Sequence, residues 1–160
     1  GLVGSEMCIR DRGKCKAVIT QNIDGLHQAA GSKEVLELHG TVKKNYCMKC
    51  HKFYGEEYIM NTSGVPKCDC GGIIKPYVVL YEESLDNDVI EKAVDYIRHA
   101  DVLIIAGTSL TVYPAAGLID YYRGNKLVLI NKSVTPKDNA ADLVIHEPVG
   151  GTLGGIVLNS

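Results

Sequence analysis

Three short runs of this chain are apolar at nearly every position: "DVLIIAG" at 101–107, "KLVLIN" at 126–131 and "ADLVI" at 141–145. A strand with one wet face alternates apolar and polar residues, so runs without alternation belong to strands covered on both faces. The segments around them have helical period. In "SLDNDVIEKAVDYIRHA", Val89, Ile90, Ala93, Val94 and Ile97 share one helical face, and Ser84 or Asp86 is placed to cap its start. "TSLTVYPAAGLIDYYRG" predicts a loop and then a helix, with Pro114 near its first turn and Gly124 at its end. Strands that alternate with helices and are apolar throughout dictate an α/β fold built on a parallel sheet.

Two further β-rich runs come earlier, "KAVIT" at 16–20 and the alternating "VLELHG" at 35–40. Between them "GLHQAAG" has room for one or two helical turns, stopped by Gly31 in the C′ position. "PYVVLYEE" at 76–83 is again β-like. From Thr41 to Lys75 the composition turns to Cys, Lys, Gly and Tyr with little periodicity, which marks an inserted module held by something other than an apolar core. The expected organisation is a sheet domain from residues 13–40 and 76–160, with a small inserted domain at 41–75. Residues 1–12, "GLVGSEMCIRDR", show neither periodicity nor a cap and are set aside as a non-native or disordered tail.

The insert carries its own staple. Cys47-x2-Cys50 is followed, seventeen residues on, by Cys68-x-Cys70. Two thiolate pairs on tight turns close a tetrahedral zinc site, and the "CGG" at 70–72 lets the second turn bend. Such a metal supplies folding energy to a segment too poor in apolar residues to fold alone. A disulfide or free thiols are the alternatives. The tighter Cys-x-Cys turn leaves His51 as a substitute ligand, while Cys8 and Cys15 have no partner pattern and are not expected to bind metal.

Composition sets the remaining bounds. With 160 residues, 46% apolar, 22% charged and a net charge of −2, nothing calls for nucleic acid or an anionic membrane as partner. The apolar runs are too short to span a bilayer, and no basic segment leads into an apolar one as in an export signal. Paired cysteines in such a chain read as metal ligands before disulfides, so the reducing cytoplasm is the expected compartment.

Polar residues cluster where the strands end. In "AGTSLTVYP" Gly107 permits close backbone approach, and Thr108 and Ser109 offer hydroxyls and N–H groups to an anion. Asn131 ends "KLVLIN", where its amide can hold a ribose hydroxyl or merely begin a turn. Gln21, Asn22 and Asp24 follow "AVIT" as Gly107 follows "LIIA", and His39 closes the next strand. Each has a bland role available: Asn22 and Asp24 as turn formers, His27 as a surface residue, His39 as a satisfied loop histidine. Together, on one edge of a parallel sheet, they mark a ligand site.

The blocks "TQNIDGLHQAAG…LELHG", the paired cysteines, "GGIIKPYVVLYEESL", "GTSLTVYPAAGL" and "LVLIN" resemble, in order, a bacterial-type sirtuin, a family of NAD-dependent protein-lysine deacylases. The resemblance runs from about Gly13 to the C-terminus. It implies a Rossmann-like parallel sheet with a small inserted zinc-binding domain. It implies that Gln21, Asn22, Ile23 and Asp24 contact nicotinamide and its ribose, with Asn22 and Asp24 acting in catalysis beside His39, the general base on a ribose hydroxyl. Gly107, Thr108, Ser109, Asn131 and Lys132 match the adenosine side of NAD, and Val79 and Tyr81 the acyl-lysine tunnel. Cys47, Cys50, Cys68 and Cys70 match the ligands of one structural zinc. The implied partners are acylated-lysine proteins or peptides, with deacylated lysine, nicotinamide and O-acyl-ADP-ribose as products. A histidine, with a reference pKa of ~6.5, suits the proton transfer near neutral pH.

The family's Gly-rich phosphate loop, with the first strand it follows, has no counterpart upstream of "KAVIT", so weak or no activity is expected of this stretch by itself. "LYEE" also departs from the family's more frequent Phe-Gly-Glu. The competing reading is a non-enzymatic zinc module that binds protein or nucleic acid. Its support is the run Lys43, Lys44, Lys49, His51 and Lys52 beside Tyr46, Phe53 and Tyr54.

Overall fold

In the computed structural model, which describes residues 13–154, β1 (Val18–Thr20) leads through one helical turn, α1 (Leu26–Ala29), into β2 (Val35–Glu37). β1 and β2 pair in parallel, Thr20 opposite Glu37. α1 stops as the sequence requires. Gly31 is left-handed at φ 87, its N–H reaches the Gln28 carbonyl, and the Ser32 N–H reaches that of His27. Those are the two bonds of a Schellman motif. The expected tail at 1–12 and Cys8 lie outside the described residues.

Three antiparallel strands follow, β3 (Gly40–Cys47), β4 (Phe53–Gly55) and β5 (Ile74–Val78), ordered β4-β3-β5, with a short α2 (Glu56–Met60) after β4. The strand expected over 76–83 thus begins earlier, ends earlier and joins the cysteine-bearing strand. The thiol turns cause this: Met48 N donates to the Ile73 carbonyl at 2.9 Å and Cys47 stands opposite Ile74, so pairing grows outward from the cysteines.

α3 (Asn87–His99) is capped by Asp86, whose Oδ1 accepts from Asp88 N at 2.9 Å and Val89 N at 3.3 Å. Its choice over Ser84 follows from reach, since a capping side chain bonds the N–H two or three positions on. β6 (Val102–Ala106), β7 (Lys126–Ile130) and β8 (Leu143–Ile145) then form a second parallel sheet, and α4 (Val149–Gly154) closes the described chain. The helix expected after Pro114 is 3-10, over Ala115–Tyr121. No helix among the described residues is long and apolar enough to cross a membrane.

The main core joins Leu36 and Leu38 beside β2, Ala93 and Ile97 of α3, and Ala115 and Leu118 of the 3-10 helix, with Ile19 and Leu103 packed against them. The apolar face foreseen for α3 is therefore the buried one. Burying such side chains stabilises by about 1.5–3 kcal/mol for each large one. One expectation fails in part. β6 and β8 were to be covered on both faces, but Val102 is 52% exposed and Ile104 41% in β6, and Leu143 is 51% exposed in β8. Helix packing among the described residues reaches the Leu103 side of β6, and the alternation of the strand turns Val102 and Ile104 the other way.

Candidate functional site

The chain turns sharply after β1. Thr20 Oγ1 accepts from Asn22 N at 3.0 Å, and Asp24 Oδ1 accepts from Leu26 N at 3.0 Å. Two side-chain-supported turns thereby fix the QNID segment, so Asp24 does fill the role of turn former. Its Oδ2 and the Asn22 side-chain amide make no hydrogen bond among the described residues, and both residues are exposed.

His39, half-buried just past β2, has Nδ1 3.0 Å from the Gln21 carbonyl oxygen. A carbonyl only accepts, so Nδ1 is the donor, and in the neutral ring Nε2 is the nitrogen with the lone pair. The ring is thus held in one tautomer with its basic nitrogen turned away from the bond. Backbone contacts tie the surrounding segments together. The His39 carbonyl accepts from Val79 N at 3.0 Å, and the Ile23 carbonyl from Val42 N at 3.1 Å and Thr41 Oγ1 at 3.5 Å. Gly40 makes this approach possible: at φ +76 its missing Cβ would strike the Tyr77 carbonyl. Segments 21–24, 39–42 and 78–79 therefore form one constellation.

Of the two expected tunnel residues, Val79 belongs to it and Tyr81 stands fully in solvent, 101% exposed. The loop between them and α3 is tethered twice. Lys75 Nζ lies 2.6 Å from Glu83 Oε1, and the Tyr77 hydroxyl donates to Asp86 Oδ2 at 2.6 Å. The second bond pushes the Tyr77 phenol up to about 12 and holds the Asp86 carboxyl below its usual range. Nothing in the spacing of Tyr77 and Asp86 announces that contact.

The residues expected on the adenosine side form a second group. Gly107, left-handed at φ 64, ends β6 and donates its N–H to the Ile130 carbonyl at 2.9 Å, which brings it beside Asn131. Thr108 Oγ1 accepts from Leu110 N at 3.3 Å, the Ser109 and Thr111 hydroxyls are 2.7 Å apart, and Asn131 Nδ2 donates to the Ser133 carbonyl at 2.8 Å. Lys132 is exposed. Sequence reasoning missed His146, whose Nδ1 donates to the Asn131 carbonyl at 3.0 Å from the end of β8. No hydrogen bond among the described residues links this group to the first.

The thiols of Cys47, Cys50, Cys68 and Cys70 all lie within 4.8 Å of one another, with Cys47–Cys70 and Cys50–Cys68 sulfurs at 3.5 Å. A tetrahedral zinc with Zn–S bonds near 2.3 Å needs sulfurs about 3.8 Å apart, so the set fits that ion. The tight Cys-x-Cys turn reaches without help, and His51 and Cys15 are not in the cluster. Lys49 N donates to Cys47 Sγ at 3.3 Å, and the Cys50 N–H holds the Cys47 thiol below its ordinary value. The basic run is partly neutralised, Lys43 by Glu56 and Lys52 by Asp69.

The Sir2 family model matches residues 7–114. This chain belongs to the Sir2 family. An NAD-dependent protein deacetylase of Clostridium perfringens is 62% identical over 151 residues, which cover 93% of this chain and 62% of the relative. One from Clostridium tetani is 65% identical over 147 residues, 91% of this chain and 60% of the relative. The chain thus spans about three-fifths of the length of these Sir2 relatives. Among solved structures, a Sir2–p53 peptide–NAD+ complex matches with a TM-score of 0.86 and 41% identity, over 96% of this chain and 67% of that one. A Sir2 complex with the inhibitor EX-527, 2'-O-acetyl-ADP-ribose and deacetylated p53 peptide matches with a TM-score of 0.87 and 41% identity, over 96% and 68%.

Within this Sir2-family chain, one partner of the thiol site lies outside the cysteine spacing. The buried Tyr54 hydroxyl donates to Cys68 Sγ at 3.0 Å and draws that thiol down to about 6. Outer hydrogen bonds of this kind tune metal affinity, so Tyr54→Phe is expected to weaken zinc binding about tenfold. Competition with a chromophoric chelator measures it, and an unchanged affinity would leave the hydroxyl without a role.

Proposed function

We propose that this chain works as part of an NAD-dependent protein-lysine deacetylase acting in the cytoplasm on acyl-lysine proteins or peptides. In this reading residues 13–40 and 76–160 form the NAD-binding domain and 41–75 the structural zinc domain. When bound, NAD supplies the strained cationic nicotinamide–ribose bond whose cleavage drives the reaction. The Asn22 side-chain amide and Asp24 Oδ2 hold the carboxamide and ribose in reacting geometry. Gln21 and Ile23 complete that pocket, while Gly107, Thr108, Ser109, Asn131 and Lys132 carry the adenosine end. Val79 and Tyr81 flank the acyl-lysine, and the body of the protein keeps water from the reacting bond. His39 Nε2 takes the proton of a ribose hydroxyl, and the Gln21 carbonyl stabilises the imidazolium through Nδ1–H. The Nδ1–H bond to Gln21 is the observation that carries the reading, because it leaves a histidine poised as base beside the loop.

The test is nicotinamide release by the protein carrying this chain. Release should require an acyl-lysine peptide and yield an O-acyl-ADP-ribose. NAD consumption that ignores peptide would put a glycohydrolase or ADP-ribosyltransferase in place of the deacetylase. The alternative of a nucleic-acid-binding zinc module is weakened by the two ion pairs that already occupy Lys43 and Lys52.

A further inference from the structure

Lys43 is not a cysteine neighbour, a cofactor contact or a core residue, yet it touches both halves of the molecule. It lies on β3, the strand that ends in Cys47. Its ammonium donates to both carboxylate oxygens of Glu56, at 2.8 and 3.1 Å, and Glu56 opens α2 in the thiol-bearing lobe. Its stem lies over Gly25, which is buried and left-handed at φ +70. A Cβ built there would lie 2.5 Å from Lys43 Cε and 2.9 Å from Cδ, and the three nearest atoms all belong to Lys43. The same strand grips the preceding turn through Val42 N and Thr41 Oγ1, both on the Ile23 carbonyl. Asp24 is thus flanked by two residues that β3 holds in place.

We propose that Lys43 is a positioning residue that straps the metal-binding lobe onto the QNIDG loop, so that order in that lobe sets how the loop meets the nicotinamide ribose. The proposal rests on the cofactor-binding reading of residues 21–24. Lys43 and Glu56 have side chains 45% and 51% exposed, so their pair adds little to global stability. Its consequence is local. Released from Glu56, the ammonium swings into water and carries its methylenes off Gly25. A loop built on left-handed Gly25 and an Asx turn at Asp24 then loses its cover while β3 and the thiols stay as they are.

Lys43→Ala removes both the stem over Gly25 and the charge, Glu56→Gln removes the carboxylate partner, and Lys43→Arg keeps a stem and the charge. Hydrogen exchange is followed in the zinc-loaded 160-residue chain. The amides of Leu26 and Ala29, which donate to Asp24 Oδ1 and the Gly25 carbonyl, are expected to exchange roughly fivefold faster in Lys43→Ala and Glu56→Gln, with Lys49 and Cys50 unchanged and Lys43→Arg like the wild type. Chelating zinc should speed the same amides in the wild type and add less in Lys43→Ala. Unaltered loop exchange in both variants, or equal acceleration everywhere, overturns the proposal. In turnover by the protein carrying this chain, the KM for NAD should rise by a similar factor while the KM for peptide holds. A wild type that releases no nicotinamide removes the cofactor reading of the loop. The exchange data then still decide whether Lys43 couples the lobe to it.

Discussion

His39→Ala is expected to lower peptide-dependent nicotinamide release and deacylated product by about 10²- to 10⁴-fold, the usual contribution of a positioned general base. The effect comes from two separable properties of the ring. Nδ1–H fixes its orientation on the Gln21 carbonyl, and Nε2 accepts the proton. His39→Asn separates them, since its amide N–H keeps a donor for the carbonyl but offers no base of suitable strength. The two variants should therefore lose product formation alike, with the Asn protein melting closer to the wild type. Product formation within tenfold of the wild type for His39→Asn would show that position 39 orients the loop without acting as base.

Removing the metal should have the larger structural effect. Cys47 is fully buried, and besides the cysteines the lobe's apolar cluster contains only Tyr54, Ile74 and Ile59. Burial of that few side chains falls short of the conformational entropy of ordering the strands they sit on, which is about 1–2 kcal/mol per residue. Structural zinc binding, worth about 10–16 kcal/mol in small zinc-dependent peptides, offsets a large part of that cost. Cys47→Ser, or chelation of the wild type, is expected to abolish stoichiometric zinc and the exchange protection of β3 to β5. The core of β2, α3 and the 3-10 helix should retain most of its protection. Because β3 also carries the Ile23 contacts, the QNID loop should loosen with the lobe. Retained zinc and a protected lobe in Cys47→Ser would refute a metal-built fold for this region.

Local chemistry was legible from the residues. The face of α3, the Schellman ending at Gly31, the parallel runs and the cysteine spacing all depend on neighbours a few positions apart, and all appear in the structure. The order of the polar blocks along the chain also carried the family resemblance, which the Sir2 match bears out. The readings that went astray concern partners. "PYVVLYEE" has strand propensity, but its pairing with β3 was decided by cysteines that bring Ile74 beside Cys47. "DVLIIAG" is apolar enough for two covered faces, yet propensity does not say what packs against Val102 and Ile104.

By itself, then, the sequence determined the parallel runs, the apolar face of α3, the stop of α1, which thiols gather and to which family the chain belongs, whereas β3, β4 and α2 lie in the segment it left without elements. Periodicity, caps and spacing are written within single turns, and block order needs no geometry at all. Only tertiary structure decided which nitrogen of His39 is basic, that Tyr77 braces the Asp86 cap of α3, and which side chain covers Gly25. Those contacts join residues 18 apart for His39 and Gln21, 9 for Tyr77 and Asp86, and 18 for Lys43 and Gly25. They exist because packing closes those distances, and no local preference of either residue encodes the other.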